Sequence, residues 1–249
     1  MLGSSNSIAC ANIMLNAAVA ESLKVYADRL EKAEDFETAL HDMIKKTIKD
    51  HKRIIFNGNG YDDAWIKEAT EKRGLLNLRT TPDAMPAILE KKNVDMLTSH
   101  KVFSEAEIQS RYDIMLENYC KTVNIEALTM SDMVKKEILP AVAAYAKDLA
   151  DTYSAKAAVV PGVGGKYEKE TIARLSTLID EIDTATAALD SAIIKLKTID
   201  DITEASCMIR DVLLQKMAEL RVVCDEAETI TAEKYWPFPT YGDLLFGVK

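Results

Sequence analysis

The stretch "IARLSTLIDEIDTATAALDSAIIKL" at residues 172–196 carries the strongest periodic signal in the chain. Its inward-facing positions alternate in steps of three and four residues, and only a threonine among them is not apolar: Ile172, Leu175, Ile179, Ile182, Thr186, Leu189, Ile193 and Leu196. An apolar stripe with this spacing is typical of a helix that packs lengthwise against another helix, as in a coiled coil. The stretch therefore predicts a long amphipathic helix with a helical partner.

A second helical segment, residues 202–232, follows the short sequence "TIDDI" at 198–202. Its apolar residues repeat the heptad spacing less cleanly, because Lys216 occupies one heptad position: Ile209, Leu213, Leu220, Val223, Ala227 and Ile230. A helix of about 30 residues is roughly 45 Å long, since each residue adds about 1.5 Å. Two such helices joined by a tight turn predict a long antiparallel, coiled-coil-like hairpin over about 167–232 that protrudes from a helical bundle.

The chain ends in "EKYWPFPTYGDLLFGVK" at residues 233–249, which holds five of the 16 Phe, Trp and Tyr residues. Pro237 and Pro239 cannot continue a helix, so we expect an extended aromatic tail over 235–249. A terminus becomes ordered only when something ties it down, and burial of large side chains does so. We expect a groove near residues 1–60 to receive the docking side chains, namely Trp236, Phe238, Tyr241, Leu244, Leu245 and Phe246.

The composition predicts an all-α, globular fold. The 249 residues are 48% hydrophobic and 29% charged, with only 9 Gly and 6 Pro, which favours helix over sheet. The net charge of −9 argues against nucleic acid or an anionic membrane as the main partner. The cysteines form no CxxC pair and no segment is long and apolar enough to cross a bilayer, which together favour a cytoplasmic protein without disulfides or a zinc site.

The sequence upstream of this hairpin also has helical periodicity. We expect helices within 13–31 and over 35–56, and a longer helical stretch from residue 104 to about residue 158. Ser104 and Glu107 have the spacing of a capping box at the start of that stretch. Only Pro140 interrupts it, which predicts one long helix kinked at Pro140 or two nearly continuous helices.

Two glycine-containing stretches resemble phosphate-binding motifs only in part. In "NGNGYDD", Gly58 and Gly60 lack the third glycine of a dinucleotide fingerprint, because Asp63 stands at its position. In "PGVGGKY" (161–167), the position of the first P-loop glycine falls on the preceding residue, Val160. Tyr167 stands where a P-loop has the Ser or Thr that binds magnesium. Both are expected to be structural breaks, with binding of a nucleotide or effector by backbone amides of "FNGNGYDD" (56–63) as the alternative.

The remaining polar side chains do not form a recognisable catalytic pattern. His41, His51 and His100 have no ligand-like spacing, so we expect no metal site from them. Glu117 and Glu126 lie among polar and apolar residues of one predicted helix, and we interpret them as buried carboxylates that pair helices. No residue is assigned to catalysis, to cofactor binding or to a metal.

Five longer stretches resemble the C-terminal part of a type III glutamine synthetase, the large bacterial form of that enzyme. They are spread over nearly the whole chain: "GSSNSIACANIMLN" (3–16), "KRIIFNGNGYDDAW" (52–65), "FSEAEIQSRYDIMLENYCKTVNIEALTM" (103–130), "KKEILPAV" (135–142) and "EKYWPFPTYGDLLF" (233–246). The resemblance implies a ligase that joins ammonia to glutamate with ATP and Mg²⁺ or Mn²⁺. It also implies a homo-oligomeric ring as the assembled form.

The resemblance further implies a division of the chain. Residues 1–31 would be the end of the catalytic domain, and residues 32–249 would be the type III-specific helical domain with its hairpin and tail. The metal-binding, ATP-binding and phosphate-clamping residues are expected upstream of Met1. Ser4 and Ser5 would lie near the active site of the whole enzyme without a role of their own.

Two functions follow from these observations. The first is a structural and oligomerisation role within a glutamine synthetase, with the remainder of the chain and other subunits as partners and no activity in isolation. The second is a standalone helical scaffold that binds partners through the hairpin at 167–232.

Overall fold

The structure is a computed structural model that describes residues 7–247, and every regular element within that range is helical. The all-α prediction is therefore confirmed. No helix among these residues is both long and apolar enough to span a membrane. The chain forms two compact units, an N-terminal unit up to Met115 and a C-terminal unit from Leu116. The expected division between residues 31 and 32 comes from the resemblance and stays a prediction.

The N-terminal unit contains five helices within its described residues, followed by the first turns of a sixth, α6 (Glu105–Met133). The five are α1 (Ala9–Leu30), α2 (Phe36–His51), α3 (Asp63–Lys67), α4 (Thr81–Ala84) and α5 (Lys91–Ser99). Short turns of tighter or wider helix extend α2, α3 and α4 over Lys52–Ile54, Glu68–Lys72 and Met85–Leu89. The core of this unit is small and centres on Ala17, Leu97 and Ile108.

Two helix starts follow the sequence closely. The Asp35 carboxylate accepts hydrogen bonds from the backbone N–H groups of Glu37 and Thr38 at 3.1 and 3.3 Å, and so caps α2. At the start of α6 the backbone N–H of Ser104 donates to Glu107 at 2.8 Å, and the Glu107 N–H donates to the Ser104 hydroxyl at 3.3 Å. This exchange satisfies two N–H groups that a helix start leaves unpaired. The predicted capping box is confirmed.

The C-terminal unit is built from long helices. After α6 come a wide turn over Val134–Ile138, α7 (Leu139–Val159), α8 (Lys166–Leu196), α9 (Ile202–Met208), a second wide turn over Ile209–Leu213, α10 (Leu214–Ile230) and the short α11 (Tyr241–Phe246). The helix is interrupted, as expected, near Pro140, and the interruption is the wide turn over Val134–Ile138 just before this proline. Proline has no N–H to donate to the carbonyl four residues earlier, so the hydrogen-bond ladder opens over Val134–Ile138. There the Leu139 N–H bonds the Val134 carbonyl instead.

Helix α8 packs against both α7 and α10. Near its N-terminus Arg174 donates to Glu226 at the far end of α10, at 2.8 Å. Near its C-terminus Asp190 accepts a hydrogen bond from Ser131 of α6 at 2.6 Å. Lys156, near the end of α7, pairs with Glu168, near the start of α8. Together these pairs show that α8 is antiparallel to both α7 and α10, in a three-helix bundle. The expectation that the hairpin protrudes is wrong, because α7 packs along one side of α8. Coiled-coil supercoiling of α8 with α10 stays a prediction.

The buried face of α8 is wider than the predicted stripe. Six of its eight predicted positions are buried, and Leu178 and Ala192 are buried beside them. A helix with two neighbours needs a wider apolar face than a coiled-coil seam provides. The threonine in the stripe, Thr186, is accommodated because its hydroxyl donates to the Ile182 carbonyl at 2.7 Å.

The last long segment buries the face that its irregular heptad predicts. Four of its six predicted positions, Ile209, Leu213, Leu220 and Ala227, have no exposed surface, so the predicted face is the buried one on both sides of the wide turn over Ile209–Leu213. At the irregular position Met217 packs against the core in place of Lys216. The Lys216 ammonium instead pairs with Glu219 at 2.7 Å.

The tail follows a different path from the one expected. Tyr235, Trp236 and Phe238 pack partly buried against the core of the C-terminal unit, so the expected groove near residues 1–60 is wrong for Trp236 and Phe238. The Tyr235 ring lies 5.4 Å from the Tyr145 ring. The expected extended tail gives way to α11, because Thr240 and Asp243 form a capping box at its start.

The adjacent residues Ile193 and Ile194 provide a matched test of the bundle. Ile193 is 3% exposed and Ile194 is 64% exposed. Ile193→Ala is expected to lower the free energy of unfolding of the C-terminal unit by about 2–5 kcal/mol, because it leaves a cavity. Ile194→Ala should change it by less than about 0.5 kcal/mol. Urea denaturation followed by circular dichroism measures both, and equal losses would contradict the placement of α8.

A pH-dependent contribution is expected from Asp190. Partial burial acts to raise the pKa of Asp190, but hydrogen bonds from Lys135 and Ser131 outweigh it and hold that pKa below its ordinary value. A lowered pKa in the folded state stabilises the fold above the unfolded-state pKa, and the contribution disappears as the pH falls through the folded-state pKa.

Asp190→Asn should therefore lower the free energy of unfolding near neutral pH by about 1 kcal/mol or less, since solvent screens this partly exposed side chain. The difference from the parent chain should shrink as the pH falls below the ordinary Asp pKa of about 3.9 and vanish once the folded parent carboxylate is also protonated. Urea denaturation over a pH series measures it. A difference that stays constant throughout the acidic part of the series would show that the charge of Asp190 has no part in stability.

Candidate functional site

The described residues do not bring metal-ligating side chains together. Among residues 7–247 no group of three or more His, Cys, Asp and Glu side chains could hold a metal ion. His41 and His51 are exposed on α2. The His100 Nε2 atom, just after α5, lies 2.7 Å from Glu21 Oε2 on α1, so this histidine ties two helices. No local pattern marks that pair, because 79 positions separate its members.

The stretch that resembles a P-loop is the turn between α7 and α8. Gly162 has φ +78°, a backbone conformation that favours glycine. The Tyr167 hydroxyl, at the position where a P-loop has Ser or Thr, lies 2.8 Å from the Tyr145 hydroxyl of α7. That hydrogen bond, together with burial, raises the pKa of Tyr145 to about 12. These contacts support the interpretation of residues 161–167 as a structural break.

Glu117 and Glu126 are not buried, contrary to the expectation. Glu117 pairs with Lys121 at 2.7 Å on the surface of α6, and Glu126 is also exposed. The buried residues of α6 include Leu116, Val123 and Ala127, and both carboxylates lie on the exposed face of the helix. Their exposure removes the basis for a role in pairing helices.

The second glycine-containing stretch is anchored by stacked side chains. The Phe56 and Trp65 rings stack with their centroids 3.7 Å apart, and the Arg73 guanidinium lies 4.7 Å from the Trp65 centroid. A Cβ atom at Gly58 would come within 2.6 Å of the Phe56 ring, so any other residue there would displace this ring from its stack. Sequence reasoning missed this stack, although the spacing of two aromatic residues around "NGNG" hints at it.

Helix α1 exposes a stripe of large apolar side chains. Leu15, Val19 and Leu23, here called the α1 stripe, are 65%, 58% and 62% exposed. Their spacing of four residues places them on one face, whereas Ala17 faces the core of the N-terminal unit. An exposed apolar stripe on a helix is typical of a surface that another protein segment covers.

The docking candidates in the tail divide into two groups. Trp236 and Phe238 lie in an edge-to-face pair with centroids 6.2 Å apart, beside a groove of about 440 Å³ whose lining includes Ile125, Met133 and Cys224. The other group, on or beside α11, is exposed; Tyr241 is 84% and Phe246 is 83% exposed. Ser4 and Ser5 lie outside the described residues.

Comparison with known proteins assigns the chain to a family. Residues 39–157 match the model of the glutamine synthetase C-terminal domain. The chain is 37% identical to the glutamine synthetase of Butyrivibrio fibrisolvens over 216 residues, which is 87% of this chain and 31% of that protein. It is 30% identical to the type-3 glutamine synthetase of Dictyostelium discoideum over 255 residues, which is 98% of this chain and 34% of that protein.

A third relative, the glutamine synthetase of Bacteroides fragilis, is 26% identical over 252 residues, again 98% of this chain and 34% of its own length. The chain thus spans about a third of the length of the curated relatives it matches. The resemblance found in the sequence is confirmed. The chain belongs to the glutamine synthetase family and carries its C-terminal domain.

Proposed function

We propose that this chain is the C-terminal region of a type III glutamine synthetase and has a structural role in its homo-oligomer. The whole enzyme would ligate ammonia to glutamate with ATP, in nitrogen metabolism. One observation carries the proposal: the match to the type-3 relative extends over 98% of this chain but only 34% of that protein. A cytoplasmic location agrees with the free cysteines.

The α1 stripe supports a contact with a part of the enzyme outside the N-terminal unit. Burial of one large apolar side chain stabilises a contact by about 1.5–3 kcal/mol. Three such side chains on one face, Leu15, Val19 and Leu23, therefore suit a permanent interface. In the expected division of the chain, α1 belongs to residues 1–31 and would pack within the catalytic domain.

The described residues do not fit the cofactors of the whole enzyme. Divalent metals are held by several oxygen or nitrogen ligands in one place, and residues 7–247 present no such group. ATP and Mg²⁺ or Mn²⁺ are therefore proposed to bind upstream residues. This chain would contribute support for the site and contacts between subunits of the ring.

The packing of α8 disfavours the alternative of a standalone scaffold. Its apolar face is already buried against α7 and α10, so no free heptad stripe is left on α8 for a docking partner. Deletion of residues 167–232 discriminates the two functions. A folding element leaves an insoluble remainder, whereas a scaffold arm leaves a folded chain that has lost only its partners.

The proposal predicts that the isolated chain is inactive and that α1 binds the remainder of the enzyme. We expect no γ-glutamyl transfer by the pure chain with ATP and magnesium. After co-expression with the upstream part of the Butyrivibrio fibrisolvens enzyme, we expect the two to co-purify. Val19→Glu should reduce recovery at least about tenfold, because burial of an unpaired charge is costly.

Val25→Glu is the matched control. Both valines are exposed on α1, at 58% and 53%, but Val25 lies on a different face from the α1 stripe. Circular dichroism should show an unchanged helix content for both variants. Glutamine formation by the pure chain would refute the proposed role, and equal loss of binding in both variants would refute the role of the stripe.

The tail generates a prediction of its own, since we propose that Trp236 anchors it. Trp236→Ala should lower the free energy of unfolding of the C-terminal unit by about 1–3 kcal/mol, less than for a fully buried tryptophan because Trp236 is only partly buried. Tyr241→Ala should change it by less than about 0.5 kcal/mol. Thermal or urea unfolding of both variants measures the difference, and a larger effect of Tyr241→Ala would contradict the anchoring role.

A further inference from the structure

A local excess of positive charge lies at the end of α2. The chain has a net charge of −9, yet residues 45–53, "KKTIKDHKR", contain five Lys and Arg residues and one acidic residue, Asp50. The Lys46 ammonium pairs with Asp50 at 2.7 Å. The segment therefore keeps several cations that its own carboxylate does not neutralise.

Two of these cations, Lys52 and Arg53, line a pocket of about 570 Å³ between the end of α2 and the end of the α3 segment. Its lining contains three cationic side chains and two apolar ones and no acidic one: Ile48, Lys52, Arg53, Ile55 and Arg73. All five belong to the N-terminal unit.

Arg73 builds the wall of the pocket and has its charge compensated. Its Nε and Nη2 atoms donate to Glu68 at 2.9 and 2.6 Å. Its Nη1 atom donates to the carbonyls of Arg53 and Ile55 at 3.1 and 2.9 Å. One guanidinium thus holds the backbone of residues 53–55 and stacks on Trp65, so the pocket is preorganised by a rigid cluster.

Lys52 and Arg53 are the cations left for a ligand. Within residues 7–247 neither has a carboxylate partner. Arg53 donates only one long hydrogen bond, from Nη1 to the Arg73 carbonyl at 3.4 Å. An arginine fork beside a lysine point charge matches the oxygens of a phosphate group. The apolar wall of Ile48 and Ile55 suits the uncharged part of a small molecule.

We propose that this pocket binds the phosphate group of a phosphorylated small molecule. The site is separate from the proposed structural role, because neither the α1 stripe nor the tail contributes to it. It also differs from binding by backbone amides of the "FNGNGYDD" loop, since the charge comes from side chains that precede the loop.

The test uses the 249-residue chain and pyrophosphate as the probe in isothermal titration calorimetry at low salt. Lys52→Ala and Arg53→Ala are each expected to weaken binding at least about fivefold, because each removes one charge-assisted contact. An increase in ionic strength from about 0.05 to about 0.5 M should weaken binding by the parent chain, since both cations are exposed.

Lys24→Ala is the matched control for net charge. Lys24 is exposed on α1 of the same unit and does not line the pocket. The Lys24→Ala variant should bind pyrophosphate as tightly as the parent chain does. Citrate, as the control ligand, should bind the parent chain at least about tenfold more weakly than pyrophosphate. No heat with the folded parent, equal losses in all three variants, or equal binding of citrate would each overturn the proposal.

Discussion

Helix α8 is buried on two sides, against α7 and against α10. The arrangement of the C-terminal unit depends on this packing. Leu175, Leu178, Ile182 and Leu189 have no exposed surface, and each contributes about 1.5–3 kcal/mol by burial. Because α7 and α10 share this face, their directions and registers are fixed together. Polar pairs such as Arg174–Glu226 select the antiparallel register but contribute less, since solvent reaches them.

Local signals in the sequence predicted much of this fold. The stripe around Leu175, the capping box of Ser104 and the break before Pro140 each depend on residues a few positions apart, which a sequence displays directly. The contact of α8 with the end of α6 was missed because it depends on residues more than 50 positions apart, such as Ser131 and Asp190. The buried face of α10 was predicted through Leu220 and Ala227, because their spacing is local.

The functional assignment depended on another kind of information. Helical periodicity alone suggested a scaffold, and the polar and apolar neighbours of Glu117 and Glu126 wrongly suggested that these carboxylates are buried. Long, irregular stretches such as residues 52–65 carried the family resemblance, because their glycines and aromatic residues serve specific contacts. The Gly58 backbone lies against the Phe56 ring, and a generic helix has no need of that combination. Arg73, which stacks on Trp65, also holds the backbone beside the pocket lined by Lys52 and Arg53. The spacing of residues in the sequence did not reveal this pocket.

The two tryptophans of this chain lie in different units and in different surroundings. Trp65 is stacked against an aromatic ring and a guanidinium, whereas Trp236 packs directly against the helical core and has Phe238 as an edge-to-face neighbour. Each unit therefore contains its own intrinsic fluorophore. With the other indole replaced by phenylalanine, the emission of the remaining one reports the unfolding of a single unit, without any attached label.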